Sequence, residues 1–216
     1  PEYRIMSFIS SLIANSSEVI LAEYTDFQGN FQQVSRLTVQ KIQNNSTGFL
    51  KSGMKKFHFI NESGLTLLCL TDEISDEVAF AFLYDLKAFL IQKFGFNELM
   101  SKTAYSLKDL DVDIKDMMDY FAIQPSMTKS GSLVEDYRSV ANNCFQENLS
   151  KFIGKEVILT ITSSVNKDTT PMNNFGKNLV NMTSKEMQEE WDNDNKKKLY
   201  YIIGGIIVFM IVTSFL

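Results

Sequence analysis

The chain has 216 residues, room for one domain of ordinary size with extensions. Hydrophobic residues make up 44% and charged residues 22%, which excludes a wholly disordered chain, and a net charge of −5 argues against non-specific nucleic-acid binding. One histidine (His58) and two cysteines (Cys69 and Cys144) supply neither a metal cluster nor a disulfide framework, so no metal or cofactor is expected and function should come from binding or from anchoring.

Residues 5–14 (IMSFISSLIA) and 19–24 (VILAEY) flank the turn-prone Asn15-Ser16-Ser17-Glu18 and predict an antiparallel hairpin. Gly29-Asn30 then opens a helical pattern, FQQVSRLTVQKIQN, whose apolar residues recur at three- and four-residue spacings. Three strands are expected next, at 49–52, 55–60 and 65–71. The last, LTLLCLT, is nearly all apolar, as a central strand covered on both faces would be. Asp72 to Asp76 supplies helix-start chemistry for the segment that ends on Gly95, with Lys93 in its last turn, and 107–122 reads as another helix. A five-stranded sheet with helices on its faces fills about 120 residues and has core enough to fold independently.

His58, between two phenylalanines in a strand, reads as a structural imidazole, since nothing in the sequence offers it a nucleophile. The carboxylates Asp109, Asp111, Asp113 and Asp116 lack the glycine-centred spacing of a calcium loop and read as a solvated helix face. No enzymatic activity is expected.

Residues 199–216, LYYIIGGIIVFMIVTSFL, carry no charge. Eighteen helical residues span about 27 Å, close to the roughly 30 Å hydrocarbon core of a bilayer. Lys196, Lys197 and Lys198 precede the run, and a basic flank favours leaving that side in the cytoplasm. The expectation is a single-pass, tail-anchored protein facing the cytosol. In that compartment the N-x-S/T triplets at Asn15, Asn44, Asn45, Asn61, Asn148 and Asn181 stay unmodified and both cysteines stay free.

The element order resembles that of the longin domain, which is profilin-like and α+β. Several stretches are similar to those of the long vesicle-associated membrane proteins, the VAMP7-like R-SNAREs. They are Ile20-Leu21-Ala22, Gly29-Asn30-Phe31, Lys41-Ile42, Phe57-His58-Phe59-Ile60, Leu68-Cys69-Leu70-Thr71-Asp72, Ala79-Phe80-Ala81-Phe82-Leu83 and Ala104-Tyr105. Sec22-like longin proteins fit the same architecture a little less well. The resemblance implies a longin domain over 1–122, with a five-stranded antiparallel or mixed sheet and helices on both faces. A linker over 123–133, a partly helical SNARE-like coiled-coil segment over 134–195, and a basic flank with transmembrane anchor over 196–216 would follow. It also implies a hydrophobic groove between the first helix and the short middle strand, lined by Val34, Leu37, Ile42, Phe49 and Leu50, that takes a trafficking adaptor or the protein's own SNARE segment.

A SNARE segment needs heptad-spaced apolar layers so that four helices can zip together. Stepping three and four from Val134 gives Tyr137, Ala141 and Cys144, then Lys151 where an R-type member places arginine, and Ile158 and Val165 beyond. Lysine keeps the charge but lacks the planar fork of arginine. Gly154 and Pro171 weaken a continuous helix, and 157–162 (VILTIT) reads locally as strand, whereas 134–153 reads as one amphipathic helix. Two functions remain open. One is an R-SNARE that fuses vesicles by forming a four-helix bundle with Q-SNARE helices. The other is a non-fusogenic longin protein acting as a trafficking regulator or adaptor. Both sit on endomembranes or transport vesicles, with the bilayer as a partner and no nucleic acid.

Overall fold

A computed structural model describes residues 7–15 and 19–163, all within the unit that runs from Pro1 to Ser164. The N-terminal hairpin forms as expected, from β1 (Ser7–Asn15) and β2 (Val19–Thr25), antiparallel with a bulge between Ile13 and Ala14. A three-residue strand, β3 (Phe27–Gly29), leads into α1 (Phe31–Val39). The helical pattern continues to Asn44 in sequence, but the helix stops at Val39. Lys41 and Ile42 donate their N–H groups to the carbonyls of Thr38 and Val39, tightening the end into a turn that still buries Ile42.

Strands β4 (Ser46–Ser52), β5 (Lys55–Glu62) and β6 (Leu65–Asp72) form a meander. Strand β6 is the centre of the sheet, pairing with β1 on one side and β5 on the other. Its side chains obey the two-residue period: Leu65, Leu67 and Cys69 join one apolar cluster, Leu68 and Leu70 the other. This is why LTLLCLT carries no polar face. Each surface of the sheet has its own cover.

The first cover is α2 (Asp76–Phe94) with α4 (Asp111–Ile123), whose buried residues share a cluster with β1, β5 and β6. Helix α2 starts and stops as its sequence demands. The Ser75 side chain accepts from the Val78 N–H at 3.3 Å, Asp76 and Glu77 sit in the positive first turn, and Gly95 takes φ 78° at the end. A short helix not anticipated from sequence, α3 (Phe96–Ser101), follows. The Asn15 amide holds it to β1 by donating to the carbonyls of Leu99 and Lys102, both at 2.9 Å. One 3-10 turn, Lys108–Leu110, precedes α4. The second cover is α1, whose Phe31, Val34 and Val39 pack with Leu50, Phe57, Leu68 and Leu70.

Of residues 123–133, expected as a linker, Ile123 ends α4 and 124–133 make a loop packed on α2. Asp85 on α2 accepts from the Lys129 N–H at 2.9 Å, Thr128 is buried, and Met127 bridges to Leu133. The chain beyond gives α5 (Arg138–Asn143), β7 (Phe145–Asn148), α6 (Leu149–Ile153) and β8 (Ile161–Ser163). Strand β7 extends the five antiparallel strands by a sixth, parallel one, so the order is β2-β1-β6-β5-β4-β7, while β8 pairs with β3. The expected single helix over 134–153 is therefore replaced by two short helical pieces around a strand. Among the described residues no helix is long and apolar enough to cross a membrane, and residues 199–216 lie outside them.

Candidate functional site

Residues 134–163 run around the domain from the α2 face to the α1 face, and each part meets a matching surface. The 3-10 turn Val134–Tyr137 and α5 lie on α2. Val134 and Ala141 are buried there, Cys144 packs beside them, and the Tyr137 ring stacks on Tyr84 with centroids 5.6 Å apart. Cys144 is extended and ends α5, and β7 adds in parallel to the outer edge of β4, pairing Phe145 with Gly48 and Asn148 with Lys51. An uncovered β4 would present a row of unpaired main-chain groups, which proteins generally avoid. Gly48 makes the approach feasible, because a Cβ there would stand 2.4 Å from the Phe145 carbonyl oxygen.

The chain then turns into α6. Asn148 caps it by accepting from the N–H groups of Ser150 and Lys151, and Gly154 ends it in the left-handed conformation, φ 79°. Leu149 and Ile153 enter the cluster of Val34, Ile42 and Leu50, and Lys41 Nζ donates to the Ile153 carbonyl at 2.7 Å.

Of the five residues expected to line the groove, the structure brings together Val34, Ile42 and Leu50, with this chain's own Leu149 and Ile153 upon them. Leu37 is only half-buried. Phe49 is a correction. It lies on the opposite face of the sheet, in the cluster of α2, with Lys56 Nζ 4.8 Å from its ring centroid. The reason is strand parity: neighbours such as Phe49 and Leu50 point to opposite faces, so both cannot line one groove. Of the expected layer residues, Val134, Tyr137, Ala141 and Cys144 face the domain. Lys151 reaches into solvent and pairs with Glu147 at 2.7 Å, Ile158 is exposed, and Val165 lies outside the described residues, as do Lys196, Lys197 and Lys198.

His58 is fully buried between Phe49 and Phe80. Its Nε2 is 2.8 Å from Asp76 Oδ1, which also accepts from Lys56 Nζ at 2.6 Å, and Thr71 Oγ1 stands 3.4 Å from Nδ1. Burial pushes the imidazole below its usual range, outweighing the pull of Asp76 toward the charged form. The opposing strand places Cys69 across from it, and burial pushes that thiol well up, away from the thiolate a nucleophile needs. The group joins the sheet to the first turn of α2.

A pH dependence follows from this burial. Below pH 6.5 the unfolded chain takes up a proton that buried His58 resists, so stability is complete above that value and declines as pH falls toward the lowered folded pKa. The slope is at most about 1.4 kcal/mol per pH unit. Urea unfolding of the full chain at pH 7.0 and 5.5 should show the loss, and His58→Gln should flatten the slope. An unchanged slope in that variant would reject the assignment.

Residues 21–113 match the longin family model, described as a regulated-SNARE-like domain. Vesicle-associated membrane protein 724 of Arabidopsis thaliana is 25% identical over 210 residues, covering 95% of this chain and 92% of that protein. Vesicle-associated membrane protein 7B of Dictyostelium discoideum is 26% identical over 220 residues, covering 97% and 80%. Vesicle-associated membrane protein 722 of Arabidopsis thaliana is 26% identical over 165 residues, covering 74% of each chain.

Proposed function

We propose that this chain, which carries a longin domain and is homologous to the VAMP7-family vesicle-associated membrane proteins over most of its length, is an R-SNARE of vesicle-mediated transport held in a closed state. Released from the domain, its SNARE-like segment zips with Q-SNARE helices into a four-helix bundle. Residues 199–216 anchor it in an endomembrane with the domain on the cytosolic side, and the Lys196–Lys198 flank sits at the headgroups. The longin domain then regulates assembly, and its groove becomes available to an adaptor when the segment leaves.

One observation carries the reading. The side chains of Val134, Tyr137, Ala141 and Cys144, which the heptad register reads as its first four layers, are packed on the α2 face. They cannot serve a bundle and the domain together, so docking and assembly compete. Bundles nucleate from an apolar seam, and here the N-terminal end of that seam is covered.

A second reading, a longin regulator that does not fuse membranes, is favoured by Lys151 and Gly154 near the centre of the register. Mixing the full chain in detergent micelles with purified Q-SNARE helices separates the two. A heat-resistant four-chain complex should form slowly, and Val134→Asp, which places a charge in the buried contact, should speed it by at least about tenfold. No complex from either chain, with adaptor binding retained, would reject the fusion reading.

A further inference from the structure

The Gly29–Asn30 corner does more than open a helix. Asn30 is the N-cap of α1, yet its side chain makes no cap hydrogen bond, although asparagine is among the best capping residues. Its amide is turned outward. Asn30 Nδ2 donates to the Ile158 carbonyl at 2.8 Å, Oδ1 accepts from the Thr160 N–H at 2.9 Å, and the Asn30 main-chain N–H donates to the Thr160 carbonyl at 3.2 Å. A single residue thus holds alternate main-chain groups of an extended segment, as a neighbouring strand would.

Gly29 completes the notch. A Cβ on it would stand 1.9 Å from the Thr160 carbonyl oxygen, so a side chain there and the docked strand exclude each other. The contacts made by Gly29 and Asn30 are to main chain alone: Ile158 is 74% exposed and Thr160 is exposed too, while Leu159 between them is half-buried against the α1-face cluster. Immediately beyond, Gly29 pairs with Ile161 and Phe27 with Ser163.

We infer that Gly29–Asn30 is a main-chain latch, occupied by residues 158–160 of this chain, that sets how readily the whole 134–163 segment leaves the domain. This rests on the reading that the segment is released for assembly. The segment is held at its start by apolar burial of Val134 and Ala141, at its middle by β7 and Leu149, and at its far end by the latch. Because Asn30 grips main-chain groups, the exposed side chain of Ile158 is free to suit the bundle while its carbonyl is held by the domain, and Leu159 adds a partly buried apolar contact. At Ile158, unlike at Val134 and Ala141, docking and assembly draw on different atoms of one residue.

The test is hydrogen exchange on the full chain in micelles, read alongside the rate of assembly with Q-SNARE helices. Asn30→Ala removes no capping bond, so α1 should persist. Amides of residues 149–153 and 158–163 should exchange roughly tenfold faster, those of α2 and β6 should not change, and assembly should speed by a similar factor. Asn30→Asp keeps the acceptor but sets a charge against the Ile158 carbonyl, and should open the segment at least as far. Acceleration confined to the Thr160 amide overturns the latch, and so does faster assembly with Val134→Asp when Asn30→Ala changes no exchange; the latter outcome leaves the fusion reading intact. Opening of 149–163 without faster assembly supports the latch and removes the fusion reading.

Discussion

The full chain carrying Phe82→Ala should lose about 3–5 kcal/mol of stability. Phe82 is fully buried on α2, where its ring meets Phe8 of β1 at 4.7 Å and Phe121 of α4 at 5.9 Å between centroids. It therefore joins three elements that are far apart in sequence, and alanine would leave a cavity where the sheet and both helices meet. Relaxation is hindered because Phe80 and Leu83 on the same helix are buried as well. With domain stabilities of about 5–15 kcal/mol, the loss is a large share of the total. Thermal unfolding followed by circular dichroism should show a midpoint lower by roughly 10 °C. A change under about 1 kcal/mol would mean that the site collapses to fill the gap and that the Phe8–Phe82–Phe121 contact is not central.

The parts of the fold that were legible in sequence are those whose signal is local. The Asn61-Glu62-Ser63-Gly64 turn is followed by the apolar strand β6, and Ser75 with Gly95 brackets α2, each by short-range chemistry. Elements set by tertiary pairing left no such trace. Strand β3 is three residues, too short for any periodicity, and exists because it pairs with β8, which takes in the end of the β-branched run 157–162 that did read as strand. The sequence FQEN of β7 carries no strand pattern; the open edge of β4 imposes the conformation. That same edge is why the amphipathic reading of 134–153 does not become one helix, since Cys144 must be extended to deliver Phe145 beside Gly48. At the groove that the resemblance implies, Val34, Ile42 and Leu50 fall in one cluster, and Phe49 was misplaced by ignoring strand parity. The role of Asn30 was hidden for a subtler reason. A helix-cap asparagine and a clamping asparagine are identical in sequence, and only the path of a segment more than a hundred residues later distinguishes them.

Gly48→Ala should release the segment while leaving the domain folded. The added methyl would lie 2.4 Å from the Phe145 carbonyl oxygen and 2.9 Å from Phe145 Cβ and Phe59 Cζ. The Phe59 ring can tilt by tenths of an ångström, but a main-chain oxygen cannot step aside without carrying the strand with it. The pairing of β7 with β4, four residues long, is what gives way. Each ladder hydrogen bond is worth about 1 kcal/mol net, so the docked state loses about 2–4 kcal/mol, or roughly two orders of magnitude in the open fraction. Strand β4 itself has nothing to lose, because alanine costs less chain entropy than glycine in an extended strand. Exchange should therefore rise at 145–153 and stay unchanged at β5 and β6, with Q-SNARE assembly accelerated beyond the Asn30→Ala rate. Protection at 145–153 within twofold of the parent chain would show that β7 shifts register instead of leaving. The double variant adds a stricter condition. If Gly48 and Asn30 hold one cooperative segment, each substitution loosens the hold of the other, and Asn30→Ala on top of Gly48→Ala should add much less than it does alone. Full additivity would mean that β7 and residues 158–160 detach independently, and the latch would then govern only its own strand.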